Sequence, residues 1–309
     1  MAVNTTLTFA DLRGDARRRR REALVRWLLR GAAVFSLVVS VAIVLALVGE
    51  AFRWLTGIDL AWLVGDGWFP RRSEFDVLTL VAGTMIVSAI AIAVAAPLGL
   101  GAAVYLSEFA SPRIRRILKP MLEVLAGIPS VVLGYFALTV IQPSIVQDVF
   151  GGTSAFSLMA AGIGVGILTI PLVASVSEDA MHAVPDALRE AAYGIGARRR
   201  TVAMQVVVPA SVSGIVAALI LGLSRAIGET MVVAIAAGAT GGGLRTLNPL
   251  GPGQTMTGAI SSLAIGSDQV QGSTFAFDSL FFVGLLLFVM TFGLNVISER
   301  FVRRVRRSY

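Results

Sequence analysis

"VLTLVAGTMIVSAIAIAVAAPLGLGAAVYLS", residues 77–107, contains no Asp, Glu, Lys, Arg or His. An α-helix of ~20 apolar residues crosses a ~30 Å hydrocarbon layer. This stretch exceeds that length, and comparable uncharged runs recur at 31–49, 124–147, 149–177, 201–224 and 279–298. The chain has 309 residues, 56% of them hydrophobic and 15% charged, with a mean hydropathy of +0.80. A soluble domain carries roughly 25% charged residues. These runs predict an all-α membrane protein with six transmembrane helices.

The net charge of +7 raises the question of a nucleic-acid partner, which the placement of the charge answers. Of 26 Lys and Arg, eight precede the first run, four lie between the second and third, four between the fourth and fifth, and five follow the sixth. Arg53, Arg71, Arg72 and Arg245 lie on the other side, and Arg225 lies inside a run. Cytoplasmic loops collect Lys and Arg, so both termini are expected in the cytoplasm. "RRRRREALVR" then reads as a topology determinant, with no nucleic acid as partner. The first run is longer than the apolar part of a signal peptide and lacks a clear small-residue cleavage site, so it reads as a retained anchor. Zero cysteines exclude disulfides, thiolate metal sites and cysteine nucleophiles.

Residues 1–30 form a basic lead, expected to be helical beside the membrane. Residues 31–76 hold the first span and an extracytoplasmic connection, whose Trp54, Trp62, Trp68 and Phe69 suit the headgroup zone of the membrane lipid. Pro97 and Pro171 are expected to bend their spans, and "GIGVGIL" (162–168) to let helix backbones approach closely. The fifth span is placed from about Pro209 to Gly238, followed by a flexible, glycine-rich stretch, "GATGGGLRTLNPLGPGQTMT". That stretch is no phosphate cradle, because a P-loop needs G-x-x-x-x-G-K-[ST] and the only lysine is Lys119. No His, Asp and Glu cluster has metal-ligand spacing, and no serine has a plausible base.

The coupling loop, residues 178–205, opens "EDAMHAVPDALREAAYGIGARRR". Pro185 and Asp186 suit a helix start. Leu188, Ala191, Ala192 and Ile195 then fall on one small apolar face before Gly194 and Gly196 end the helix. So short a helix is marginal in water and needs a surface to lie on. Glu178 and Asp179 read as solvated loop charges, His182 as a packing or interface residue, and Tyr105 and Glu108 as the plain end of span two.

Glu190, Ala191, Ala192, Gly196, Val206, Val208 and Pro209 match the pattern E-A-A-x3-G-x9-I-x-L-P, with valine for isoleucine and for leucine. The loop thereby resembles that of ABC-importer permeases. The resemblance implies a type I ABC importer permease fold, whose cytoplasmic coupling helix docks on a separate ATPase subunit. "LSEFASPRIRRILKPMLEVLAGIPSVVLGYF" (106–136), "IPLVASVSEDAMHAVPDALREAAYGIGA" (170–197), "LSRAIGETMVV" (223–233) and "GQTMTGAI" (253–260) are similar to the phosphate-specific branch, PstC type. This second resemblance covers roughly residues 75–309. It implies a second permease of PstA type, two ATP-binding subunits of PstB type that hold ATP and Mg, and an extracytoplasmic phosphate-binding protein of PstS type. No cofactor is expected on this chain, and it is not expected to be an enzyme.

Arg225 and Glu229 sit within lipid-grade sequence, where an ionisable residue costs ~2.5 kcal/mol or more. At i, i+4 they are expected to share a helix face. One reading is a structural ion pair; the other is a substrate pathway, with Arg225 contacting the anion and Glu229 tuning it. The resemblance supports the second, since charged residues of this helix are implicated in phosphate transport in the family. The expected function is import of inorganic phosphate across the bacterial cytoplasmic membrane, by a permease domain at 77–298 with a basic tail at 299–309. The alternatives are a permease for sulfate or molybdate, an ion-gradient-driven transporter, or a membrane sensor.

Overall fold

A computed structural model describes residues 16–238, 242–265 and 274–306, with side chains for 20–238, 242–265 and 275–300. By its contacts the chain divides into residues 1–50 and residues 51–309. The first unit is the helix α1, part of the unbroken run Ala16–Thr56. From Arg20 to Glu50 no side chain is buried. The basic lead after residue 15 therefore continues the span rather than forming a separate helix; residues 1–15 lie outside the described residues.

In the second unit, α2 (Val77–Phe109) starts at Asp76, which is fully buried. Its carboxylate accepts from the Leu78 amide at 3.0 Å and from the Thr79 hydroxyl at 2.7 Å. An interfacial helix α3 (Pro112–Ala126) follows, capped by Ser111, and then α4 (Ser130–Gln147). Span three is thus shorter than the uncharged run beginning at 124, because Gly127 and Pro129 separate the two helices. Next come α5 (Leu158–His182), the short α6 (Asp186–Gly194), and α7 (Arg199–Ala210) bent by 70° against α8 (Val212–Ile227). The bend falls at Ser211, just after Pro209, whose missing N–H interrupts the helical ladder. The remaining helices are α9 (Met231–Ala236), α10 (Met256–Ala264) and α11 (Thr274–Arg306). Among the described residues five helices are long and apolar enough to span a membrane, six with α7 and α8 as one bent span, the number the sequence predicts.

The core of the bundle is the α2–α5 contact, and glycine makes it possible. A Cβ at Gly162 would lie 2.7 Å from the Ile90 Cβ, and one at Gly166 would lie 2.8 Å from the Val94 Cβ. Apolar side chains gain nothing by leaving lipid for a protein interior, so close van der Waals contact is what holds such helices together. Gly166→Leu is expected to destabilise the chain by ~1–3 kcal/mol. The check is an earlier midpoint of heat-induced aggregation in detergent.

At the opposite end from α6, three short antiparallel strands form a sheet in the order β2 (Glu74–Phe75), β1 (Gly67–Phe69), β3 (Gly243–Leu244). Trp68 pairs with Phe75 on one side and with Gly243 on the other. Trp54 and Trp68 are buried here rather than resting among headgroups; Trp62 is exposed and Phe69 half-buried. The Trp54 indole stacks edge-on to Phe75 at 5.2 Å and donates to the Phe275 carbonyl at 2.9 Å. Nor is the glycine-rich stretch loose where it is described. The Leu158 and Met159 amides donate to the carbonyls of Gly251 and Pro249, and Gly253 donates to Ala237. Residues 239–241 of that stretch lie outside the described residues.

Candidate functional site: a broken span and a docking helix

Span five does not run on to Gly238. It stops at Ile227, passes through Gly228, Glu229 and Thr230, and resumes at Met231. Backbone groups freed at membrane depth must be satisfied by protein. The Thr257 hydroxyl, in the first turn of α10, donates to the Glu229 carbonyl at 2.8 Å. That partner lies 28 residues away, so the break is invisible in the local pattern.

Arg225 and Glu229 therefore do not share one continuous helix face, and the structure forms no ion pair between them. Arg225 is exposed and Glu229 half-buried. Among the described residues, neither side chain has a hydrogen-bond or ion-pair partner. Leu223 and Ile227 line an apolar cleft of about 600 Å³ between α2, α8 and α11. Arg225 is two residues from each, which at ~100° per residue puts it on the other side of α8. Leu221, also exposed, shares that side. The guanidinium thus stands on a face of α8 that the described residues leave uncovered.

The second candidate is α6. It spans Asp186–Gly194, and Gly196 closes it with φ +83°, a left-handed conformation that favours glycine. Ala192 is buried beside Met181, Val184 and Val202. Glu190, Ala191, Leu188 and Ile195 face outward, Ile195 being 88% exposed. Val206 and Val208 are half-buried on α7, and Pro209 is exposed just before the bend. His182 is exposed at the last turn of α5, with no packing role within the chain.

Around α6 the structure corrects the expectation of solvated charges at Glu178 and of a plain helix end at Glu108, since both are buried and paired. Asp179 is exposed, as expected. Glu178 is fully buried on the last turns of α5, where it forms ion pairs with Arg115 and with Lys119 (2.7 Å), both from α3. Lys119 also reaches Asp179 at 2.8 Å. Hydrogen bonds to Asp179 and then Glu178 hold the Lys119 ammonium above the ordinary lysine range. A raised folded pKa stabilises fully below the unfolded value and is lost as pH rises through the folded one. This tie is therefore constant from neutral pH to mildly basic conditions. Glu108, buried at the end of α2, pairs with Arg189 of α6 at 3.1 Å.

Glu178→Gln leaves two cations facing an amide. Removing one partner of a fully buried pair costs ~3–5 kcal/mol. Arg115 and Lys119 are 30% and 28% exposed, so water shares their charge; the expected loss is nearer ~1–3 kcal/mol. Asp179→Asn, at a carboxylate 64% exposed, is expected to cost under ~1 kcal/mol. Thermal aggregation of the two variants in detergent should separate them in that order.

Six spans, a short exposed helix on one end of the bundle and a span broken at membrane depth define a class: the membrane-spanning subunit of an ABC importer. A family model described as "Binding-protein-dependent transport system inner membrane component" matches residues 95–307, and the chain belongs to that family. It is a multi-pass inner-membrane protein and not itself the ATPase, which in these transporters is a separate subunit. Among similar proteins, the phosphate transport system permease protein PstC of Mesorhizobium japonicum is 32% identical, covering 92% of this chain and 90% of its own length. The probable ABC transporter permease protein YqgH of Bacillus subtilis is 32% identical, covering 86% of each. The fold is similar to that of a bacterial alginate ABC transporter solved with an alginate pentasaccharide-bound periplasmic protein. The TM-score is 0.63 at 16% identity, over 94% of this chain and 97% of that one. It is also similar to the inward-facing MetNI methionine transporter, with a TM-score of 0.55 at 19% identity, over 74% of this chain and 97% of that one. Among the described residues no group of three or more His, Cys, Asp or Glu is placed to hold a metal ion.

Proposed function

We propose that this permease carries inorganic phosphate inward, with Arg225 on the translocation path. The observation that carries the reading is an exposed arginine without a partner among the described residues, next to a break between two helices. An unpaired guanidinium facing lipid is costly; facing a wet path shared with a second permease, it has solvent and an anion to bind. Its planar fork of donors suits a tetrahedral oxyanion. Glu229, in the break itself, weakens that hold and can accept a proton-bearing oxygen, which phosphate has and sulfate lacks. The names of the similar PstC proteins support the same substrate.

In this reading residues 1–30 and 299–309 lie in the cytoplasm, residues 31–76 form the first span and outer connection, and residues 77–298 form the permease domain. A PstA-type permease, two PstB-type ATP-binding subunits that hold ATP and Mg, and a PstS-type phosphate-binding protein complete the transporter. Glu190, Ala191, Ala192, Gly196, Val206, Val208 and Pro209 form or support the docking helix. ATP is needed because the anion enters against an inside-negative potential, at ~2.3 kcal/mol per charge per 100 mV. The test is uptake of labelled phosphate into vesicles holding the five components, with excess unlabelled sulfate or molybdate as competitor. Phosphate uptake indifferent to both is expected; uptake abolished by either would reassign the substrate.

A further inference from the structure

Arg189 is counted by the sequence among the basic residues that set topology, yet its side chain is only 14% exposed. One nitrogen, Nη2, donates to Glu108 Oε1 at 3.1 Å and to the Met181 carbonyl at 2.8 Å. The other, Nη1, donates to the Val184 carbonyl and to Asp186 Oδ1, the latter at 3.1 Å. Four acceptors thus come from the end of α2, the last turn of α5, the link that follows it, and α6 itself. Two of them are backbone carbonyls, Met181 in the last turn of α5 and Val184 in the link that follows, a stretch where the helical ladder is ending. Glu108 is 5% exposed and takes one further bond, from the Ser107 hydroxyl at 2.9 Å. A carboxylate so enclosed is costly unless paired. It is turned inward by a π-turn over Tyr105–Phe109, a widening of the helix that shifts the residues after it around the axis.

We infer that Arg189, held by Glu108, is the positioning residue that makes α6 move as one body with the ends of α2 and α5. This rests on reading α6 as the helix that meets the ATPase. The backbone from α6 toward α7 runs through Gly196 and the 70° bend at Ser211, which is poorly suited to carrying a push. The link back to α5 and the packing of Ala192 beside Met181 and Val184 engage α5, whereas the pairing with Glu108 reaches α2. The guanidinium joins α6 directly to the two helices that form the glycine-packed core. It points away from the outward face bearing Leu188 and Ile195, so docking and transmission are separable. A lysine in its place could reach Glu108, but a single ammonium on a flexible stem cannot hold all four acceptors at once.

The experiment uses the whole transporter in vesicles, with wild type, Arg189→Met, Arg189→Lys and Glu108→Leu. It measures recovery of the ATP-binding subunit, ATP hydrolysis, and phosphate uptake per ATP. For Arg189→Met the expected result is full recovery of the ATP-binding subunit, continued hydrolysis, and uptake per ATP at least about tenfold lower. Arg189→Lys and Glu108→Leu should fall between this and wild type, and adding Arg189→Met to Glu108→Leu should cost less than it does alone. Unchanged uptake per ATP in Arg189→Met or Glu108→Leu would overturn the inference. So would loss of the ATP-binding subunit from Arg189→Met, since the residue would then serve docking. Failure of the docking reading itself shows elsewhere, as undiminished ATPase binding when Leu188 and Ile195 are changed.

Discussion

Arg225→Gln in the assembled transporter is expected to lower phosphate uptake at least ~10²-fold, about the effect of deleting one well-aimed charged donor from a site that stabilises an anion. That factor corresponds to ~3 kcal/mol. In the proposed reading the effect should exceed that of a surface charge because a donor aimed at the anion on a narrow path has no equivalent beside it to take its place. Assembly should survive, since the side chain makes no bond among the described residues whose loss would unfold the chain. Arg225→Lys keeps the charge without the planar fork and should fall between, at roughly tenfold. Glu229→Gln should act less on phosphate uptake than on the discrimination between phosphate and sulfate. Uptake within about twofold of wild type for Arg225→Gln, with the variant present in the purified complex, would remove the residue from the path.

The second large effect is expected at the docking helix. Leu188 on α6 is 46% exposed and Ile195, just past its end, 88%, while Ala192 is the residue of the helix that is buried. Burying two such side chains against a partner supplies ~1.5–3 kcal/mol each, and a carboxylate in their place must be desolvated besides. The double variant Leu188→Asp, Ile195→Asp should therefore lose the ATP-binding subunit on purification, and uptake should fall to background. The chain's own thermal midpoint should hold, because neither side chain belongs to its core. Recovery of the ATP-binding subunit at wild-type yield would show that α6 is not the docking surface.

The span count and the short helix α6 were legible because each is written in neighbouring residues. A run such as 77–107 has one stable solution in lipid, where the backbone must satisfy its hydrogen bonds within the helix. Pro185, Asp186, Gly194 and Gly196 likewise mark the bounds of α6 by local chemistry alone. Glu178 shows where that legibility ends. In sequence it is one of two adjacent acids before a loop; in space it is the buried anchor of two cations. A closer reading had one signal available. The span-four helix could have been extended through Glu178, facing the basic residues of 113–119 at the same depth. Trp54 and Trp68 were misplaced for a related reason. An aromatic ring near a membrane surface suits headgroups and a protein core equally well, and only the small sheet decides between them.

The sequence by itself determined that this chain has six stretches fit to cross a membrane, that a short helix lies between two of them, and that an arginine stands within apolar sequence. These are properties of composition and of spacing within a few helical turns. The tertiary structure alone decided that span five breaks at Gly228, that Arg225 and Glu229 are not paired, and that Arg189 ties α6 to the bundle. Those outcomes depend on partners far along the chain: Thr257 for the Glu229 carbonyl, Glu108 for Arg189 across 81 residues, and Glu178 for Lys119 across 59. Short-range forces between groups distant in sequence exist only once the helices have packed.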